Sequence, residues 1–228
     1  SKRLEMIASI CQPVTVLADV GCDHAYLSIA LVQRGIAKKS IAMDLRKGPL
    51  AKAEENVNKY GLSESIELRL GDGLEKLNSF EADEILISGM GGILTCNILE
   101  AGFDKLKPET VLVLQPQSDL SLVRHFLHDR GMKIVNELTC FEDGKFYNCM
   151  LAVFGKESYE NEYEYELGKV LIDRGDIVLK EFILHRIHKT GLVIEGVKAN
   201  GGNNKDEVLS RFLNEYDMLN EALEAIDQ

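Results

Sequence analysis

Four acids stand where short apolar runs stop. Val14 to Ala18 runs into Asp19-Val20-Gly21-Cys22-Asp23-His24, Ile41-Ala42-Met43 into Asp44, and the run from Ile66 to Leu70 into Gly71-Asp72-Gly73. A further run, Ile85-Leu86-Ile87, stops at Ser88-Gly89-Met90-Gly91-Gly92. Carboxylates and bare glycines at the ends of strand-like runs suit a nucleotide-type ligand. Glycine lets the ligand approach the backbone, and the first amides of a following helix carry partial positive charge toward it.

The residue types narrow that ligand. A dinucleotide fingerprint needs glycines at its second and third positions so that backbone can touch a pyrophosphate. Here those positions carry larger side chains, and Asp23 stands two residues past Gly21. A carboxylate there repels pyrophosphate and suits a ligand with an ammonium and a sulfonium, which points to S-adenosylmethionine. Asp44, 23 residues after Gly21, is placed to accept both ribose hydroxyls, and Asp72 to take the adenine amino group. Asp19 and Asp44 also read as helix caps or loop acids.

The elements that must carry these residues alternate. Strand-like segments near 14–18, 40–43, 66–70, 84–88 and 111–115 are separated by helical patterns near 25–35, 48–60, 92–101 and 118–130, and Gly35 and Gly61 stand where helix C-caps belong. This predicts a parallel sheet covered by helices on both faces. Met132 to Phe141 and Phe146 to Phe154 then follow with Glu142-Asp143-Gly144-Lys145 between them, a hairpin signal. A seven-stranded sheet ending in an antiparallel hairpin is the α/β, Rossmann-like layout of class I methyltransferases.

Composition bounds the rest. At 228 residues, 45% hydrophobic and 28% charged, the chain can bury an ordinary core and carry an appendage. Without a signal-type start or a run long enough to span a membrane, it is expected to be cytoplasmic. Cys11, Cys22, Cys96, Cys140 and Cys149 lack zinc-type spacing, so buried reduced thiols and no metal are expected. Residues 1–155 carry 17 Lys and Arg against 21 Asp and Glu, a net −4, and residues 156–228 carry 9 against 16, a net −7. Any nucleic-acid contact must come from local cations, because phosphate affinity comes from clustered positive charge. Candidates are Lys2-Arg3, Arg34 with Lys38-Lys39, Arg46-Lys47, and Arg186 with Lys189.

A second domain is expected from 157 to 228, after a catalytic domain at 1–156. Val178, Phe182, His185, Lys189 and Leu192 follow 4-3-4-3 spacing, and Leu209, Phe212, Tyr216, Leu219, Leu223 and Ile226 follow 3-4-3-4-3. That is the seam of paired, coiled-coil-like helices, with Asn200-Gly201-Gly202-Asn203-Asn204 as the turn that folds them into a hairpin.

Together ADVGCDHAYL at 18–27, IAMDL at 41–45, GDGL at 71–74, ISGMGG at 87–92 and LQPQ at 114–117, followed by an acidic helical tail, resemble the TrmK family of bacterial tRNA adenine-N1 methyltransferases over essentially the whole chain. The resemblance implies methylation of N1 of adenosine 22 in the D arm of tRNA. By motif it implies that Gly21, Asp23, His24, Asp44, Leu45, Asp72, Gly73, Gly89 and Met90 line the cofactor pocket. It also implies a helical coiled-coil C-terminal domain.

The chemistry is readable beside the resemblance. Enzymes that methylate an exocyclic amine commonly place Asn or Asp and prolines at the fourth strand end. This chain has glycines there, leaving room for a flat ring, and Met90 packs on that ring, on the cofactor's adenine, or in the core. Adenine N1 carries a lone pair at neutral pH, so the protein mainly aligns the reactants. Asp23 is the candidate to stabilise the cationic product, or else holds the cofactor's amino end. Tyr26, Gln115, and Tyr147 with Asn148 are candidates to stack on or hydrogen-bond a flipped base, though Tyr147 also fits ordinary sheet packing. His125, His128, His185 and His188 are expected at the surface. The competing readings are a methyltransferase acting on ribosomal RNA or a small molecule, and a noncatalytic adaptor whose tail binds another protein.

Overall fold

The computed structural model describes residues 1–200 and 204–228. They form two compact units, Ser1–Ser158 and Tyr159–Gln228.

In the first unit each strand-like run becomes a strand: β1 (Val14–Val20), β2 (Ala37–Asp44), β3 (Ile66–Leu70), β4 (Glu84–Met90) and β5 (Val111–Pro116), with β2 ending at Asp44 and β1, β3 and β4 ending just before Gly21, Gly71 and Gly91. Buried on both faces over most of β1, β2, β4 and β5, these strands need apolar residues without strict alternation, whereas the edge strand β3 is largely half-exposed. Helices α1 (Lys2–Ile10), α2 (Tyr26–Gln33), α3 (Lys47–Lys59), α4 (Gly92–Gly102) and α5 (Leu120–Asp129) accompany them, and the antiparallel pair β6 (Met132–Glu142) and β7 (Lys145–Phe154) completes the sheet. The spatial order is β3-β2-β1-β4-β5-β7-β6. Chain direction across the sheet therefore switches between β1 and β4, and a crevice opens at such a switch point above the strands' carboxyl ends. Register brings the ends level: Val20 lies beside Met43 and Ile87, and Asp44 beside Leu70.

The β6–β7 turn pairs Glu142 with Lys145, and its two central residues, Asp143 and Gly144, have φ of 50° and 76°. That is the two-residue hairpin turn that Asp-Gly favours. Helix α1 has no counterpart in the sequence reading. It buries Met6, Ile7 and Ile10 against a core containing Leu17, Leu31, Leu86, Val113, Cys149 and Leu151. Behind α5, Arg124 and Glu137 pair at 3.0 Å with neither side chain exposed.

The second unit contains α6 (Glu162–Leu167), α7 (Lys169–Asp173), α8 (Ile177–Asn200) and α9 (Lys205–Ile226). Asn161 and Glu164 form a reciprocal capping box at the start of α6. Helices α8 and α9 run antiparallel: Lys180 bonds Asp227 at 2.5 Å, and Gly191 faces Tyr216. The expected turn between them falls at 200–204, where 201–203 lie outside the described residues. The seam of α8 differs from the expected one. Leu179, Ile183, Thr190 and Ile194 are buried, whereas His185, Lys189 and Leu192 are exposed, so the buried stripe is rotated by about one residue. Helix α8 carries apolar residues almost all round, and several stripes then satisfy the same spacing.

No described helix is long and apolar enough to cross a membrane. Among the described residues no group of His, Cys, Asp and Glu could hold a metal ion, and all five cysteines are free thiols.

Candidate functional site

The turn after β1 builds the centre of the site. Gly21 has φ of 70°, and a Cβ there would lie 2.1 Å from the Met90 Cε, so glycine is required on both counts. Two non-glycine residues of the same turn, Asp23 and Ala25, also sit at positive φ, 51° and 59°. Neighbouring strands hold this costly backbone in place. The amides of Gly21 and Cys22 both donate to the Met43 carbonyl, at 2.8 and 2.9 Å, and the Asp23 amide donates to Asp44 Oδ2 at 3.2 Å.

Asp44 closes β2 and is buried. Its Oδ1 accepts from the Arg46 amide at 2.9 Å. With one backbone bond on each oxygen, about two of the four acceptor positions of a carboxylate stay open, which suits a vicinal diol. Asp19 is also buried, bonded by Ser28 Oγ at 2.6 Å, with Ser40 donating to Ser28 behind it at 2.9 Å. Burial pushes its carboxyl up to about 6, Ser28 opposes the rise, and the neighbouring Asp44 adds to it.

A cavity of about 500 Å³ opens over these residues, lined on the β1–β3 side by Gly21, Asp23, Asp44, Leu45, Asp72 and Gly73, and across from them by Gly89 and Met90. That volume suits a small-molecule ligand. Asp72 is exposed at the end nearest α4, while Gly73 packs so closely on Ile98 that a Cβ would lie 3.0 Å from its Cγ2. The β4 end bulges between Ser88 and Met90, and Gly89, at φ 77°, leaves no side chain there. The Met90 methyl lies over Gly21, so Met90 forms cavity wall. An acidic, glycine-lined cavity with a half-free buried carboxylate fits S-adenosylmethionine.

The remaining expected site residues divide. Tyr26 opens α2, is 54% exposed and lines the cavity. His24 is not among the lining residues. Its ring lies 3.5 Å from Asp23 and 5.7 Å between centroids from Tyr26, and its Nδ1 is buried without a hydrogen-bond partner. Gln115 is fully buried and cannot reach a base. Its Oε1 accepts from Arg3 Nη1 at 2.9 Å and from the Gly89 amide at 3.2 Å. Asn148 is buried as well, bonded to Arg124 and Glu137, because its strand position points it into the ionic cluster. His128 is likewise not a surface group: its side chain is 5% exposed and 3.1 Å from Glu157.

Gln117 and Arg3 also line the cavity, although the sequence reading placed Gln117 only inside the 114–117 motif and Arg3 only among the candidate phosphate contacts. Gln117, the second glutamine of the 114–117 motif, lines the cavity that Gln115 does not, and Arg3 reaches it from α1. Nothing in the local pattern of residues 1–10 signalled a helix aimed at the site.

Comparison with known proteins agrees with this geometry. A methyltransferase-domain family model matches residues 1–150. The tRNA (adenine(22)-N(1))-methyltransferase of Bacillus subtilis is 41% identical over 155 residues, a match spanning 68% of this chain and 65% of that protein. The crystal structure of the B. subtilis m1A22 tRNA methyltransferase TrmK superimposes with a TM-score of 0.87 at 32% identity over 98% of both chains. A Streptococcus pneumoniae putative tRNA (m1A22) methyltransferase, in complex with S-adenosyl-L-methionine, gives 0.87 at 33% identity over 98% of this chain and 99% of that one. With the fold, the strand-end acids and both domains' worth of alignment in agreement, the chain belongs to the TrmK family of methyltransferases.

Proposed function

We propose that this protein methylates N1 of adenosine 22 in the D arm of tRNA, using S-adenosylmethionine, in the cytoplasm. The observation that carries this reading is one continuous cavity that joins the half-free Asp44 carboxylate to the side-chain-free bulge at Gly89. Asp44 would hold the ribose hydroxyls, Asp72 would face the adenine, and Asp19 and Asp23 would surround the cationic end. When bound, the cofactor supplies an electrophilic methyl: the N1 lone pair forms the new N–C bond while the C–S bonding pair returns to sulfur, leaving S-adenosylhomocysteine and a cationic N1-methyladenosine.

The chain's own residues orient and exclude water. The Gly89 bulge admits the ring, Met90 and Leu94 give it apolar walls, and the exposed Tyr26 is available for stacking once the base leaves its helix. Asp23, with a carboxylate on the cavity surface, offsets positive charge as it moves onto the base. No general base is required, because N1 carries no proton.

The test incubates the protein with labelled S-adenosylmethionine and tRNA, followed by nucleoside mass spectrometry and mapping. N1-methyladenosine at position 22, abolished in a transcript with guanosine there, is the expected result. Methylation confined to ribosomal RNA, another position or a small molecule would overturn the reading.

A further inference from the structure

The arginines of the first unit are paired with carboxylates in all cases but one. Arg34 binds Glu5, Arg46 approaches Asp44, Arg69 binds Glu67 and Glu81, Arg124 binds Glu137, and Arg130 binds Glu100. Arg3 has no carboxylate partner among the described residues. Neutral groups hold it instead: its Nη1 donates to the fully buried Gln115 at 2.9 Å, and its guanidinium lies over the Tyr147 ring, 5.8 Å from the centroid. A carboxylate does act one step away. Glu142 accepts from the Ser1 hydroxyl and from the Lys2 and Arg3 amides, fixing the start of α1 without touching the Arg3 charge.

This cation is therefore placed and left uncompensated on the wall of the cavity. Its position selects the anion. Gln115 belongs to β5 and Tyr147 to β7, and a Cβ on Gly89 would lie 3.6 Å from Arg3 Nη1. Arg3 thus stands at the β4–β5–β7 side, whereas Asp23, Asp44 and Asp72 follow β1, β2 and β3. A guanidinium with one edge tied presents its remaining N–H groups as a fork, the geometry that matches a phosphate.

We propose that Arg3 grips a backbone phosphate of the RNA beside the target nucleotide, with Gln115 and Tyr147 as the positioning residues that hold it ready. This rests on the tRNA reading above.

The experiment compares wild type, Arg3→Gln and Arg3→Lys in three measurements: S-adenosylmethionine affinity by calorimetry, tRNA affinity without cofactor across a salt series, and single-turnover methylation. For Arg3→Gln we expect cofactor affinity within about twofold of wild type and tRNA affinity about ten- to a hundredfold weaker, as for loss of a charged hydrogen bond. The slope of log Kd against log salt should become shallower by roughly 0.7–0.9, one phosphate contact. Arg3→Lys should keep the slope and lose affinity severalfold, since it keeps the charge and loses the fork. Weakened cofactor binding with tRNA affinity intact would assign Arg3 to the cofactor's carboxylate and overturn the proposal. An unchanged tRNA affinity and slope in Arg3→Gln, beside a wild type that methylates tRNA, would overturn it alone. A wild type that neither binds nor methylates tRNA would overturn the parent reading and this one together.

Discussion

Asp44 and Asp19 are two buried carboxylates that face one cavity and do different work. Asp44 keeps open acceptor positions, so Asp44→Ala should weaken S-adenosylmethionine binding about ten- to several-hundredfold; calorimetry on a folded variant checks this, and an unchanged affinity would remove Asp44 from the cofactor site. Asp19 is governed by pH. Its folded value, about 6, lies above the ordinary 3.8, so the folded protein holds a proton that the unfolded chain releases between those two values. Stability therefore rises as pH falls from about 6 toward 4, and the ionised form above 6 carries a penalty on the order of 3 kcal/mol. Asp19→Asn should gain in Tm relative to wild type on going from pH 5 to pH 7. A cationic ligand favours the ionised form, so wild-type cofactor affinity should fall as pH drops through about 6 while the variant's stays flat. A parallel pH dependence in both proteins would show that Asp19 does not sense the ligand. The acids were legible in the sequence because each stands at or just beside the end of a strand, Asp19 one residue before the end of β1 and Asp44 closing β2, and strand ends share one edge. Gln115 and Asn148 were not, because a motif fixes a residue's place on a strand without fixing which face it meets, and both point into buried polar clusters.

At the scale of elements, the site depends on backbone that approaches backbone. The β1 turn, the β4 bulge and the α4 start meet there. A Cβ on Gly92 would lie 2.5 Å from the Ser118 carbonyl, so α4 and the loop before α5 are locked at contact distance. Gly21→Ala should cost about 1–2 kcal/mol for an L-residue at positive φ and push Met90 into the cavity. Thermal unfolding and calorimetry on Gly21→Ala, and on Gly21→Ala with Met90→Ala, separate the two effects: the double variant should regain cofactor affinity and keep the stability loss. If the second substitution restores nothing, the collision is not what blocks the ligand. Alternation and turn chemistry made β1 to β7 and α2 to α5 readable, down to the Asp143-Gly144 turn. They failed on α1, whose short stretch carries no cue for where it docks, and on the facing of α8, whose apolar residues satisfy several stripes at once.

Across the whole molecule, every residue named on the cavity wall lies between Arg3 and Gln117, so a chain ending after Ser158 should fold and bind S-adenosylmethionine while losing tRNA affinity. Tail cations are not equivalent in that loss. Arg186 is tied to Glu166 at 3.1 Å and Glu215 at 2.6 Å, which withdraws it from the RNA contact its sequence suggested, whereas Lys189 is exposed. Lys189→Gln should flatten the salt dependence of tRNA binding, and Arg186→Gln should lower Tm and leave that slope alone; the reverse pattern would reinstate Arg186 as a phosphate ligand. The packing of α1 on the terminal hairpin has a further consequence for a chain made from its amino end. The acids proposed to meet the cofactor, from Asp19 to Asp72, precede in the chain Glu142, which fixes the start of α1, and Tyr147, over which Arg3 lies. If Arg3 takes the proposed phosphate, the RNA contact is completed only once the terminal hairpin has formed, after every acid proposed for the cofactor has been made.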